Sequence, residues 1–235
     1  MRLLSAMMAL VFWATGLSVL AVGVSVYIPL TLVLPPRWFD GLIRIVCRAI
    51  LLSSGQWLRV EGPMPDPDNG PYIYIFNHGS LFDAFVLMGV LPSPISAIGA
   101  QKQFNWPIWG TLLRRYEVIP IQRDERGAAI ASMEAAEKVL AKGVSIIISP
   151  EGTRTLDGTL QPFKKGPFHV ALNTRVKLLP VGLDGAYRAK PKHDWRIRPG
   201  VLTLRFGEPM GELDYQEKTV EGLRDLARER VAALI

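Results

Sequence analysis

From Leu3 through Pro36 the chain runs for 34 residues without a charged side chain, and beyond that point apolar and polar positions alternate in short blocks. A run this long predicts a membrane segment. If Pro29 ends or kinks the helix, Leu3 to Ile28 still supplies about 26 residues, roughly 39 Å at ~1.5 Å each, against a hydrocarbon core of ~30 Å. A cleaved signal peptide is the competing reading, but its apolar core normally stops after about 7–15 residues. Arg37, Arg44, Arg48 and Arg59 follow the run and only Arg2 precedes it, which by loop-charge bias places the body of the protein on the cytoplasmic side. Between Arg37 and Arg59, Arg44 and Arg48 fall one helical turn apart among apolar residues. That spacing predicts an interfacial amphipathic helix whose arginines meet anionic headgroups; the plainer alternative is a core helix with two solvated arginines.

EGPMPDPDNGP, from Glu61, carries four prolines and two glycines and reads as a linker, so the chain divides into membrane-associated helices over 1–61 and a globular unit over 62–235. In the second unit, YIYIF (72–76), ISAIGA (95–100), EVIPI (117–121), VSIIIS (144–149), KLLPVGL (177–183) and VLTLRF (201–206) read as strands. Helices are expected at about 81–91, 106–116, 127–143, 167–173 and 217–234. Strands alternating with helices predict an α/β domain, a mostly parallel central sheet flanked by helices.

Composition narrows the class. With 235 residues and about half of them apolar, the chain can bury a sizeable core, which excludes a disordered tail. The net charge of +6 comes without interleaved basic and aromatic repeats, so nucleic acid is not an expected partner. The single cysteine, Cys47, excludes an internal disulfide framework and a cysteine zinc cluster.

In such sheets chemistry collects beyond the carboxyl ends of strands. Two compact polar loops stand there: Asn77-His78-Gly79-Ser80-Leu81-Phe82-Asp83 after the first strand, and Pro150-Glu151-Gly152-Thr153-Arg154 after VSIIIS. If the loop bends His78 back over Asp83, the carboxylate orients one ring nitrogen and leaves the other as a general base. Ser80 to Asp83 also fits a helix-capping pattern, in which the carboxylate holds backbone N–H groups, and the two readings are compatible. No Gly-x-Ser-x-Gly elbow is present, which favours direct attack by a substrate hydroxyl over an acyl-enzyme on Ser80. A metal site on His78 and Asp83 lacks further ligands, since His169 and His193 stand in no ligand spacing, and none is expected. In the second loop Arg154 offers a planar fork for phosphate, Gly152 admits close backbone approach, and Thr153 adds donors. Glu151 is expected to orient Arg154 or bond a substrate hydroxyl. An ion pair of Arg154 with Glu151 or Asp157 is the alternative. Lys164, Lys165 and Arg123 are further candidates for the same positive pocket.

NHGSLFD, VIPIQR and PEGTR, in this order behind an apolar N-terminus, closely resemble the motifs of the glycerolipid acyltransferases, over roughly Val60 to Leu204. The resemblance implies His78 as base with Asp83 as its partner, Asn77 and Ser80 in support, and substrate binding by Arg123, Glu151, Gly152, Thr153 and Arg154. It implies an acyl-CoA or acyl carrier protein thioester as co-substrate, no other cofactor, and lysophosphatidic acid as acceptor with phosphatidic acid as product. It also implies residence in the inner, cytoplasmic membrane with the catalytic domain facing the cytosol and membrane lipids as partners. Gln122 stands where many members carry Asp, and Ser149 and Thr155 replace Phe and Ser at the ends of the third motif. Another lysolipid acceptor, or a non-catalytic lipid-binding protein, are the alternatives.

Overall fold

The computed structural model describes residues 2–122, 126–216 and 218–235. The apolar run forms one helix, α1 (Arg2–Val33), which continues through Pro29 instead of ending there. A proline in mid-helix removes one i→i−4 bond, and the turns beyond Pro29 close again, Leu34 N–H donating to the Leu30 carbonyl at 3.0 Å. After a 3-10 turn (Pro36–Phe39) comes α2 (Asp40–Ser53).

The segment to Arg59 is not one helix. Gly55, at φ +74°, takes the left-handed position just past the end of α2, and β1 (Gln56–Glu61) follows as an edge strand of the main sheet, paired in parallel along its length with Gly200–Arg205. The sheet thus begins at Gln56, ahead of the proline-rich stretch. Then come β2 (Tyr72–Phe76), α3 (Phe82–Val90), β3 (Ile95–Ala100), α4 (Trp109–Arg115), β4 (Ile119–Ile121), α5 (Arg126–Leu140), β5 (Ser145–Ile148), α6 (Gly166–Thr174), β6 (Lys177–Asp184), α7 (Ala186–Ala189), β7 (Gly200–Phe206), α8 (Glu212–Tyr215) and α9 (Val220–Ala232). The strand order is β1-β7-β6-β2-β5-β3-β4, with β6–β7 the antiparallel pair and the other neighbours parallel, as expected for this class.

Strand β2 shows how the layers form. Its side chains alternate between faces, and both faces are buried. Tyr72, Tyr74 and Phe76 join Phe82, Val86 and Leu87 of α3, whereas Ile73 and Ile75 join Ala136, Phe168 and Leu223 of the opposite helices. On the α3 side α2 inserts, and α1 lies along it. Trp13 Nε1 donates to the Trp195 carbonyl (2.7 Å), Thr15 Oγ1 to that of Ser53 (2.6 Å), and Arg115 to that of Thr31 (3.1 Å).

The expectation for Arg44 and Arg48 is corrected here. Their guanidinium groups donate to the carbonyls of Leu91 (3.1 Å) and Gly89 (2.7 Å), at the carboxyl end of α3, where cations satisfy unpaired helix acceptors. They brace α2 on α3 through these bonds.

Candidate active site

Strands β2 and β5 are parallel neighbours with Ile75 opposite Ile148, so three residues beyond each partner His78 and Glu151 leave the sheet side by side. That register brings the two motif loops into one site. Asn77 extends it sideways: its amide donates to the Leu183 carbonyl (2.8 Å) and accepts from the Leu183 N–H (2.7 Å), a side chain continuing the β2–β6 ladder.

His78 does bend back over Asp83. The imidazole Nδ1 lies 2.6 Å from Asp83 Oδ2, and the same oxygen accepts the backbone N–H groups of Gly79 (2.8 Å) and Ser80 (2.9 Å). Asp83 is fully buried on the first turn of α3. An oxygen already holding two backbone donors directs the imidazole proton to Nδ1, which leaves the Nε2 lone pair as the acceptor. The imidazole and the helix cap are therefore served by one oxygen. The backbone N–H groups of Gly79 and Ser80 are spent on Asp83, and that of His78 on Glu151 Oε1 at 2.5 Å, so none of the three is free to receive an oxyanion.

Glu151 is buried, with its second oxygen accepting the Gln161 N–H at 2.9 Å. Both oxygens accept backbone N–H groups, so Glu151 straps the second loop to the first, and it forms no ion pair with Arg154. Burial raises its pKa above the ordinary carboxylate range, while the hydrogen bonds from His78 and Gln161 oppose the rise. A further strut runs from Thr155 N–H to the His78 carbonyl at 2.8 Å. Ser80 is no nucleophile in this arrangement: its hydroxyl is fully buried and donates to the Lys190 carbonyl at 3.0 Å.

Gly152 adopts φ +74°, a left-handed turn in which a Cβ would meet the Lys164 side chain at 3.1 Å. Arg154 forms neither of the expected ion pairs. Glu151 is engaged as above, and Asp157 Oδ1 accepts from Thr155 and Thr159. Lys165 pairs with Glu221 on the surface and does not join the site. Arg123 lies outside the described residues.

His78, Arg154, Lys164 and Lys192 open on one cleft of about 830 Å³. The remainder of its wall is mainly apolar, including Leu20 and Val24 of α1, Ile43 and Val46 of α2, Met88 of α3 and Met133 of α5. Lys192 carried no motif signal; it stands in the turn after α7, far along the chain, and reaches the cleft only through the fold. The combination of an oriented imidazole, a cationic wall and a long apolar wall suits proton abstraction from a hydroxyl on a molecule that is anionic at one end and aliphatic at the other.

Comparisons with known proteins bear on the family and the fold. The Acyltransferase family model matches residues 58–184. A 1-acyl-sn-glycerol-3-phosphate acyltransferase of Cocos nucifera is 37% identical over 175 residues, covering 74% of this chain and 56% of that protein. The Homo sapiens alpha form of the same enzyme is 30% identical over 189 residues, covering 80% and 66%. The chain thus spans little more than half the length of the plant relative. In three dimensions the 1-acyl-sn-glycerophosphate (LPA) acyltransferase PlsC of Thermotoga maritima superposes with a TM-score of 0.82 at 23% identity, covering 99% of this chain and 95% of that one, a likeness of fold.

Proposed function

The chain belongs to the acyltransferase family, and from that premise we propose that it moves a fatty acyl chain from an acyl-CoA or acyl carrier protein thioester to the sn-2 hydroxyl of 1-acyl-sn-glycerol 3-phosphate, forming phosphatidic acid. The observation that carries the reading is the His78 Nδ1–Asp83 Oδ2 contact of 2.6 Å beside a cleft that is cationic on one wall and apolar on the rest.

In this reading His78 Nε2 takes the proton of the acceptor hydroxyl as its oxygen attacks the thioester carbonyl, and Asp83 stabilises the imidazolium that forms. The tetrahedral intermediate collapses with cleavage of the carbon–sulfur bond, and the imidazolium returns its proton to the departing thiolate. Thiols have pKa values of about 8.5, so departure needs little acid assistance. Among the described residues the backbone N–H groups of Thr153 and Arg154 make no internal hydrogen bond, and they replace those around Gly79 as the candidate oxyanion donors. Arg154 receives the acceptor phosphate, with Arg123 a further candidate; Asn77, Ser80 and Glu151 hold the loops. The cationic wall favours a phosphate-bearing acceptor over a neutral lysolipid. Helix α1, apolar and largely exposed, attaches the protein to the inner membrane with the catalytic domain toward the cytosol, where both lipids reside.

The test is thiol release from a long-chain acyl-CoA by purified protein in mixed micelles with lysophosphatidic acid. His78→Ala is expected to lower kcat by about 10²–10⁴-fold without loss of folding. Thiol release by wild type no faster than in protein-free micelles favours a non-catalytic lipid-binding protein instead, and release at the wild-type rate in the variant removes His78 as the base.

A further inference from the structure

The acceptor reading above leaves the cationic wall larger than its motif accounts for. Lys190 and Lys192 stand in the turn after α7, outside the motifs that carry the family resemblance. Lys192 Nζ lies 3.2 Å from Thr153 Oγ1, so its side chain reaches across to the Glu-Gly-Thr-Arg loop. The turn that carries it is braced from both sides. Its start is tied to the His78 loop by Ser80 Oγ donating to the Lys190 carbonyl at 3.0 Å. Its far end is clamped by Asp194, which accepts three bonds from Arg196 at 3.0 Å, one of them from the backbone N–H, and another from Arg198.

Charge makes this arrangement meaningful. Lys190 is buried, with Nζ bonded to the Pro191 carbonyl at 3.0 Å, and burial first, then the charge of nearby Arg154, disfavours its protonated form. Asp194, the acid that bears on Lys190, is occupied by its two arginines. Among the described residues no carboxylate pairs with Arg154, Lys164, Lys190 or Lys192. Like charges held together by neighbouring structure repel unless an anion enters among them. Arg154 supplies a fork and Lys192 a mobile point charge, a combination matched to the three oxygens of a phosphate monoester.

We propose that Lys192 is a specificity-determining residue that closes, with Arg154, a cradle for a phosphate monoester at the wall of the cleft shared with His78. The inference rests on the reading of a phosphate-bearing lipid acceptor. The same chemistry is present in the 3′-phosphate of coenzyme A, and the experiment separates the two sources.

Steady-state kinetics are measured for wild type, Lys192→Gln and Lys192→Arg with lysophosphatidic acid and either acyl-CoA or acyl-dephospho-CoA. Lys192→Gln is expected to raise KM for the phosphate-bearing substrate about tenfold or more with kcat within about threefold, and Lys192→Arg to recover most of the loss. A deficit in KM for lysophosphatidic acid with both donors assigns the cradle to the acceptor. A deficit in KM for acyl-CoA that vanishes with the dephospho donor assigns it to the donor. Unchanged KM for both, or an equal loss in the Gln and Arg variants with lowered thermal midpoints, overturns the proposal. Wild-type protein without turnover sinks the acceptor reading instead, and the cradle is then judged by phosphorus NMR titration with glycerol 3-phosphate, where binding equal in wild type and Lys192→Gln overturns it.

Discussion

Asp83 Oδ2 gathers three donors, the His78 ring and two backbone N–H groups, so this one buried oxygen both shapes the loop and orients the imidazole. Asp83→Asn keeps the volume but places an amide where only an acceptor fits. With the ring tautomer no longer enforced, kcat is expected to fall by about 10²–10⁴-fold, with less change in acceptor KM, as read by single-turnover thiol release. Glu151 acts one step further out, holding backbone rather than ligand. Its carboxyl keeps a proton more tightly in the folded protein than in the unfolded chain. Its contribution to stability is therefore complete below the ordinary carboxylate range and is lost as pH rises through its raised value. Glu151→Gln is expected to flatten that decline in thermal midpoint against pH. The variant is also expected to lose about 1–3 kcal/mol overall, because an amide NH₂ cannot accept from Gln161 N–H. The pairing of His78 with Asp83 was legible because five residues of loop and first helical turn form a local unit. The true partners of Glu151 and Ser80 were not, since they lie 10 to 110 positions away.

Helix α1 seats on α2 through glycines. A Cβ on Gly23 would stand 2.6 Å from Val46 Cγ1, and one on Gly16 2.3 Å from Ser54 Oγ. Replacing glycine in mid-helix normally gains up to about 1 kcal/mol, but overpacking costs typically 1–3 kcal/mol. Gly23→Leu is therefore expected to destabilise the protein, whereas Gly41→Ala, on α2 with nothing within 4 Å of the added carbon, is expected to stabilise it slightly. Chemical denaturation in micelles, read by tryptophan fluorescence, checks the opposite signs. Cys47 on α2 is buried and its thiol is pushed up to about 12, so it is expected to resist iodoacetamide at neutral pH until the fold opens. At this scale the long periodic helices and the all-buried strands were readable from pattern alone. Strand β1 was not, because an edge strand with an irregular burial pattern lacks clean alternation, although Gly55 directly after α2 marks the break.

Across the whole molecule, α1 presents Leu3, Leu10, Leu17 and Val22 outward along a helix otherwise fastened to the body, and Trp38, Ile45 and Trp57 continue the exposed apolar surface. Attachment by such a surface is hydrophobic, and Arg44 and Arg48, which a charge-driven mode would use, are committed to α3 carbonyls. Flotation with anionic vesicles is therefore expected to persist in about 1 M salt, where screening reduces the Debye length to ~3 Å, and to end with detergent.

The alternation of strands and helices from β2 onward, the apolar N-terminal helix and the two polar loops were determined by sequence alone, because each depends on periodicity or spacing within a few turns of chain. Only tertiary structure decided that Lys192 meets the Glu-Gly-Thr-Arg loop, that Arg44 and Arg48 cap a helix, and that the N–H groups beside His78 are already spent. Those outcomes depend on strand register and helix docking between residues distant in sequence, which local patterns do not encode.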